Sequence, residues 1–170
     1  MSHIFKSGGL CVLIALAILF GLDGKALAQG QWSPNGFQVG QCTWFVDGAA
    51  AQAGWRLSFR NLSNANAANW PGNLCNATIR QFPFPWWDSN IVVFLPPRFP
   101  LGHVAYVNWL GTSGGTTFFT IAHANWATGQ PIGWIQGVPI YQDTYQVVGP
   151  GLVRRLQTGA VYSVLFLTRW

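Results

Sequence analysis

Few residues in this chain can do chemistry, and they narrow the possible reactions. Residues 29–170 contain no glutamate and no lysine, and they hold Cys42, Cys75, His103, His123, Asp47, Asp88 and Asp143. A glycosidase would need two paired aspartates, but the three here stand in unrelated contexts. The cysteines and histidines lack the close spacing of zinc ligands, and there is no Asp-rich calcium loop. We therefore expect no metal site.

A thiol nucleophile with an imidazole base is the chemistry that remains. Cys42 stands at the predicted N-terminus of a helix, where the dipole and unpaired N–H groups favour a thiolate and can stabilise an oxyanion. We therefore expect a depressed pKa for the Cys42 thiol. His103 opens a predicted strand and would act as the base. A third group must orient that imidazole, and the candidates are Asn or Asp, with Asn125 within reach of the base.

The helices and strands that position these residues are predicted from the spacing of apolar residues and from the glycines and prolines that end such elements. Residues 42–53 predict a helix that buries Trp44, Phe45 and Ala49 and ends at Gly54. A second short helix can form around residues 64–70. Strands are predicted at 91–95, 103–110, 116–122, 138–148 and 161–167, with the second and third joined as a hairpin. A helix early in the chain and strands later favour an α+β fold.

Four sequence blocks carry a resemblance to a known family. In chain order they are G-Q-C-T-W-F around Cys42, N-A-A-N-W-P ending at Pro71, G-H-V-A-Y-V around His103, and A-H-A-N-W around Asn125. They resemble the CHAP family, which comprises cysteine- and histidine-dependent amidohydrolases and peptidases with a papain-like core. The resemblance is clearest over residues 36–135.

The resemblance implies both a fold and a set of catalytic residues. The fold would be papain-like α+β, with an N-terminal helix that carries the nucleophile and packs on an antiparallel sheet. By position, the family's nucleophile falls on Cys42, its base on His103 and its polar third residue on Asn125. The family often has Glu two positions before that asparagine. This chain has His123 there, so the orienting role would rest on Asn125, with His123 structural or near the site.

The resemblance also implies a substrate and a cleft. Members of the family cleave amide bonds of bacterial peptidoglycan, in stem peptides, in cross-bridges or between sugar and peptide, and no cofactor is implied. The backbone N–H of Cys42, together with the Gln41 side chain, would stabilise the oxyanion. Trp44 and Trp126 would wall the substrate cleft. We expect the protein to act as a monomer.

The two cysteines leave an alternative open. An exported chain with two cysteines commonly pairs them. A Cys42–Cys75 disulfide would consume the nucleophile, and the protein would then be a non-catalytic module that binds cell-wall glycan. The motif around Cys42 favours the enzyme, in which case we expect Cys75 to be a buried free thiol.

The composition bears on partners. Only 8% of the residues are charged, and residues 29–170 hold seven arginines against three aspartates. A positive exported protein is attracted to anionic envelope polymers. The arginines are scattered, so the basic stripe that nucleic-acid binding requires is absent.

The N-terminal 28 residues have the pattern of a secretion signal. Lys6 precedes an apolar run from Leu10 to Leu22, which is shorter than the ~20 residues needed to span a bilayer. Ala26-Leu27-Ala28 fits a cleavage site. This predicts a signal peptide at 1–28 and a single catalytic domain at 29–170 that is secreted or held in the cell envelope, without stable membrane insertion. An uncleaved anchor is the alternative.

The signal pattern gives a first testable prediction. N-terminal sequencing of the exported protein should begin at or near Gln29, because cleavage follows the small residues Ala26 and Ala28. An intact Met1 in the envelope fraction would contradict cleavage and would favour the anchor.

Overall fold

The structure is a computed structural model that describes residues 32–86 and 90–169. The predicted signal peptide lies outside the described residues, and its cleavage stays a prediction. The chain divides into the units Met1–Gly30 and Gln31–Trp170, and every described residue belongs to the second. Within that part of the chain, no helix has the length and apolar character needed to cross a membrane.

The described residues form two α-helices, two 3₁₀ turns and eight strands. The helices are α1 (Cys42–Gln52) and α2 (Trp70–Asn73), and the 3₁₀ turns span Leu62–Asn64 and Ala67–Asn69. The strands are β1 (Ala77–Arg80), β2 (Asn90–Phe94), β3 (His103–Ser113), β4 (Thr116–His123), β5 (Gln130–Ile135), β6 (Val138–Gly149), β7 (Leu152–Arg155) and β8 (Val161–Arg169).

The strands form one antiparallel sheet that closes on itself. Its order is β1-β8-β2-β3-β4-β6-β5, and β7 pairs with both β6 and β8. Strands β2, β3, β4, β6, β7 and β8 therefore make a closed six-stranded barrel, to which β1 and β5 are attached. Closure satisfies the backbone groups that a free sheet edge would leave unpaired.

Apolar side chains that alternate along the strands fill the barrel. The fully buried set includes Val92, Phe94, Ala105, Val107, Phe119, Ile121, Tyr145, Val153, Val164 and Phe166. Strand β2 is buried on both faces, which accounts for its unbroken apolar run. On β3, His103 shares the inward phase of Ala105 and Val107, so its imidazole lies at one end of the barrel interior.

Helix α1 packs on the outside of the barrel against β3. Val104 and Tyr106 of β3 are fully buried on that side. The helix itself is buried almost all round, which explains its run of small alanines. The indole of Trp32 covers its outer side, directly over Gly48, and donates to the carbonyl of Phe45 at 3.2 Å.

A buried carboxylate fixes the loop that leads into α1. Asp47 accepts hydrogen bonds from the Ser33 hydroxyl at 2.5 Å and from the Asn35 side chain at 2.7 Å. The backbone N–H of Asn35 adds a third at 2.9 Å. These bonds satisfy the buried charge and fasten the start of the loop to the helix.

The predicted mixture of helix and antiparallel strand is confirmed. Helix α1 and the strands predicted near 91–95, 103–110, 116–122, 138–148 and 161–167 are all present. The helix expected around 64–70 is instead two 3₁₀ turns followed by α2, because Pro71 suits the first turn of a helix rather than its end. Strands β1, β5 and β7 were not predicted, and without β7 the closure of the barrel could not be foreseen.

The contact between Trp32 and Gly48 gives a stability prediction. A Cβ at Gly48 would overlap the Trp32 indole, so Gly48→Ala should force the ring outward and lower the free energy of unfolding by about 1–3 kcal/mol. Gly72→Ala is the matched control, because a Cβ there meets nothing within 4 Å. Urea denaturation of both variants measures the difference. Equal midpoints for the two variants would contradict the packing argument.

Candidate active site

One cleft brings most of the sequence-predicted site residues together. It has a volume of about 740 Å³, and its lining includes Gln41, Cys42, Phe99, His103, Asn125 and Trp126. Cys42 comes from the start of α1, His103 from the start of β3, and Asn125 and Trp126 from the loop after β4. The cleft therefore lies where the helix N-terminus meets one end of the barrel.

No side chain caps the start of helix α1 at Cys42. Gln41 is the N-cap of α1 and makes no capping bond with its side chain, so the first-turn N–H groups are not consumed by a cap. Gly40 before it has a φ of 88°, a conformation that favours glycine and turns the chain into the helix. N–H groups at an uncapped helix start suit a developing anion.

The Cys42 thiol is buried, with 8% of the residue exposed. Burial raises its pKa, and backbone hydrogen bonds from Val104, Thr43 and Cys42 itself oppose that rise without cancelling it. The expected depressed pKa is therefore wrong for the resting structure. The helix start does supply N–H groups to the sulfur, but desolvation penalises the thiolate more.

His103 is held in place by close packing on several sides. Gly102, with a φ of 73°, lies against the backbone of Ala68, and a Cβ there would overlap it. The Ala68 N–H donates to the Leu101 carbonyl at 3.0 Å and fastens the same turn. The Trp126 ring lies against the imidazole, with centroids 5.1 Å apart. Little freedom remains for the strand start that carries the imidazole.

The same enclosure sets the charge of His103. Burial lowers its pKa well below the ordinary value, and the electrostatic influence of the neighbouring His123 imidazole lowers it further. The imidazole is therefore neutral at neutral pH and has a lone pair with which to accept a proton. Thiol and imidazole rest as a neutral pair rather than as an ion pair.

Asn125 makes its hydrogen bond to Gln41. It has a φ of 61°, a left-handed conformation that asparagine adopts more readily than most residues, and its Nδ2 donates to Gln41 Oε1 at 2.8 Å. Because Oε1 of Gln41 accepts this bond, Nε2 of Gln41 is left to donate to another group. Asn125 thus contacts the residue before the nucleophile.

The two tryptophans predicted to wall the cleft have different places. Trp126 lines it and packs on Phe99, with centroids 4.8 Å apart. Trp44 does not line it. That prediction is wrong, because Trp44 is fully buried and its ring packs on Trp32.

A buried polar chain runs behind His103, and the sequence reasoning missed most of it. The rings of His103 and His123 have centroids 5.2 Å apart, and His123 Nε2 lies 3.3 Å from Asp143 Oδ2. Asp143 also accepts two hydrogen bonds from Arg155, at 2.7 and 2.9 Å, and one from Thr128 at 3.2 Å.

The buried polar residues behind His103 stabilise the charge of Asp143. Burial by itself would raise the pKa of Asp143, but the hydrogen bonds from His123 and Arg155 lower it overall.

The residue pattern of strand β6 could have identified Asp143 as a buried charged residue. Tyr141, Asp143 and Tyr145 share one phase of the strand, and Asp143 and Tyr145 are both buried, so a charged residue occupies an inward position between two tyrosines.

Both cysteines in the described residues are free. Cys75 is exposed, so the expectation that it is buried is wrong. The buried Leu74 precedes it at the end of α2, and Cys75 itself faces outward. The disulfide on which the binding-module alternative depends is not formed. Within residues 32–86 and 90–169, no three His, Cys, Asp or Glu side chains cluster closely enough to hold a metal ion.

A cysteine at a helix N-terminus that shares a cleft with a histidine is the arrangement of a thiol hydrolase. The chain belongs to the CHAP domain family, because the family model matches residues 32–125, more than half of the chain. This match confirms the resemblance and supports a cysteine- and histidine-dependent hydrolase at the level of the family. The matched range contains Gln41, Cys42, His103 and Asn125. No curated protein and no solved structure matched the chain.

The burial of Cys42 gives a labelling prediction. Iodoacetamide reacts with thiolates, so at about pH 7 the exposed Cys75 should be alkylated before the buried Cys42, whose pKa is raised. Cys42→Ser and Cys75→Ser variants isolate each thiol, and mass spectrometry follows the rates. Faster labelling of Cys42 than of Cys75 would show that the thiol rests as a thiolate.

Proposed function

We propose that this protein is an exported cysteine hydrolase that cleaves amide bonds in bacterial peptidoglycan. The observation that carries the proposal is that Cys42 and His103, placed by α1 and β3, line one cleft within the region matched by the family. Helix α1, which carries Cys42, packs on an antiparallel sheet, and this arrangement supports a papain-like fold. The protein would act in the envelope or outside the cell, as a monomer.

The neutral state of both groups suggests how the nucleophile is activated. As Cys42 Sγ attacks the amide carbonyl, its proton passes to the neutral imidazole of His103, so charge develops only when substrate is in place. The proton is then returned to the leaving amine. A water molecule hydrolyses the resulting thioester, with His103 again accepting and returning a proton.

The tetrahedral intermediate needs donors for its oxyanion. The N–H of Cys42 in the first turn of α1 supplies one. Gln41 supplies a second through Nε2, because Asn125 holds the oxygen of the same amide. In this proposal Asn125 contributes by fixing Gln41.

The lining of the cleft fits a peptide substrate. Its residues include the amides of Gln38 and Asn66 and the apolar side chains of Phe37 and Leu101, and none of the lining residues is Asp, Glu, Lys or Arg. Amide groups recognise the N–H and C=O groups of a peptide without requiring charge on it. The positive charge of the protein would favour encounter with an anionic cell wall.

The proposal predicts which variants lose activity. Cys42→Ala and His103→Ala should each reduce the release of peptides from purified peptidoglycan by about 10³-fold or more, because they remove the nucleophile or its base. Cys75→Ser is the matched control and should keep activity, because this exposed thiol lies outside the cleft. Mass spectrometry of the products also identifies the bond cut. Release of peptides by Cys42→Ala would contradict the proposal.

The lowered pKa of His103 predicts the acid side of the pH profile. Because the base is neutral at rest, the enzyme should lose activity at low pH only when the imidazole becomes protonated. Since the pKa of His103 is depressed, kcat/KM should stay level as the pH falls through 6.5 and should decline only below that value. An acid limb centred above 6.5 would contradict the burial of the base.

A further inference from the structure

The base of the proposed enzyme has a buried nitrogen that lacks a partner. In the described part of the chain, His103 Nε2 is buried and has no hydrogen-bond partner. A buried N–H or ring nitrogen without a partner destabilises the structure, because no hydrogen bond offsets its desolvation. Asn125 does not relieve it, because its side-chain amide is bonded to Gln41.

The neighbouring imidazole has a complementary nitrogen. His123 Nδ1 is also buried and without a partner among the described residues, while its Nε2 faces the Asp143 carboxylate at 3.3 Å. A carboxylate can only accept, so Nε2 carries the proton in neutral His123, and Nδ1 is left as an acceptor. The unpartnered nitrogen of His103 is thus next to a ring whose open nitrogen can accept its proton.

The spacing of the two rings fits a hydrogen bond between them. Their centroids are 5.2 Å apart. An N–H···N bond of about 2.9 Å between two imidazoles places the centroids about 5 Å apart when the nitrogens face each other. The rings are nearly perpendicular, at 86°, and both nitrogens are unpartnered in the structure, so the bond requires one of the rings to rotate about its χ2 angle.

Asp143, which contacts His123 on the side away from His103, is itself held firmly in place. Arg155 Nε and Nη2 both donate to Asp143 Oδ1, at 2.9 and 2.7 Å. The backbone of Gly129 lies so close over Asp143 that a Cβ there would overlap the carboxylate. His123 of β4 pairs with Tyr141 of β6, and Asp143 follows two residues later on β6, so two adjacent hydrogen-bonded strands fix the distance between His123 and Asp143.

We propose that His123, anchored by Asp143 and Arg155, is the positioning residue of His103. His123 Nδ1 accepts a hydrogen bond from His103 Nε2–H, which fixes the tautomer and leaves His103 Nδ1 with the lone pair that takes the Cys42 proton. This assignment rests on the proposed function for its catalytic meaning. It moves the orienting role from Asn125 to His123, which occupies the position where the family often has Glu.

Two substitutions at one position test the proposal. His123→Gln keeps an acceptor toward His103 through Oε1 and a donor toward Asp143 through Nε2. His123→Phe fills similar space with neither. We expect His123→Phe to lower kcat on peptidoglycan by about 100-fold with little change in KM, and His123→Gln to restore at least about a tenth of wild-type kcat. Equal activity of His123→Phe and wild type, or equal losses in both variants, would overturn the proposal.

A spectroscopic measurement separates this proposal from the proposed function. Long-range ¹H–¹⁵N spectra of protein labelled at histidine report which ring nitrogen carries the proton. His103 should show the Nε2–H tautomer at about pH 7 in wild type and in the inactive Cys42→Ala variant, and a mixture of tautomers in His123→Phe. An Nδ1–H tautomer in wild type would overturn the proposal. The spectra decide it even if peptidoglycan is not the substrate or if His123→Phe fails to fold.

Discussion

The ion pair between Asp143 and Arg155 is the interaction on which the end of the barrel depends. A carboxylate with no exposed side-chain surface is tolerated only if opposite charge and hydrogen bonds offset its desolvation, and Arg155 supplies two such bonds. Arg155 is available because β7 pairs with β6 and places it across from Tyr145. The strand that closes the barrel thus also supplies the cation that allows a charge beside the histidines.

Enclosure has opposite effects on the two reacting groups, and both effects favour the same state. Burial raises the pKa of the Cys42 thiol and lowers that of the His103 imidazole, so each group is neutral at rest. Trp126 contributes to this enclosure, because it packs on both histidines and lies 5.7 Å under the Arg155 guanidinium. A neutral thiol is protected from adventitious oxidation and alkylation, and its activation is left to the moment when substrate completes the site.

Local elements could be predicted from the sequence, whereas features that depend on contacts between distant segments could not. The helix from Cys42 and the hairpin that holds His103 follow from short patterns and from motifs with fixed spacing. The closure by β7 does not, because a strand of four residues gains its stability from two neighbours distant in sequence. The thiol pKa was mispredicted for a related reason. The helix start at Cys42 is visible in the sequence, but the burial that outweighs it is a tertiary property.

The same distinction separates the motif-based role of Asn125 from the role proposed for His123. A motif fixes positions along the chain, and Asn125 occupies the position from which an amide could reach the base. The left-handed backbone there directs its side chain to Gln41 instead. His123, on the last inward position of β4, faces the barrel interior together with His103. A neutral imidazole lacks the charge with which a carboxylate would hold the base, so it can hold His103 only if its own tautomer is fixed. Asp143 fixes it, and Arg155 in turn allows Asp143 to remain charged, so a histidine at this position requires a buried ion pair behind it.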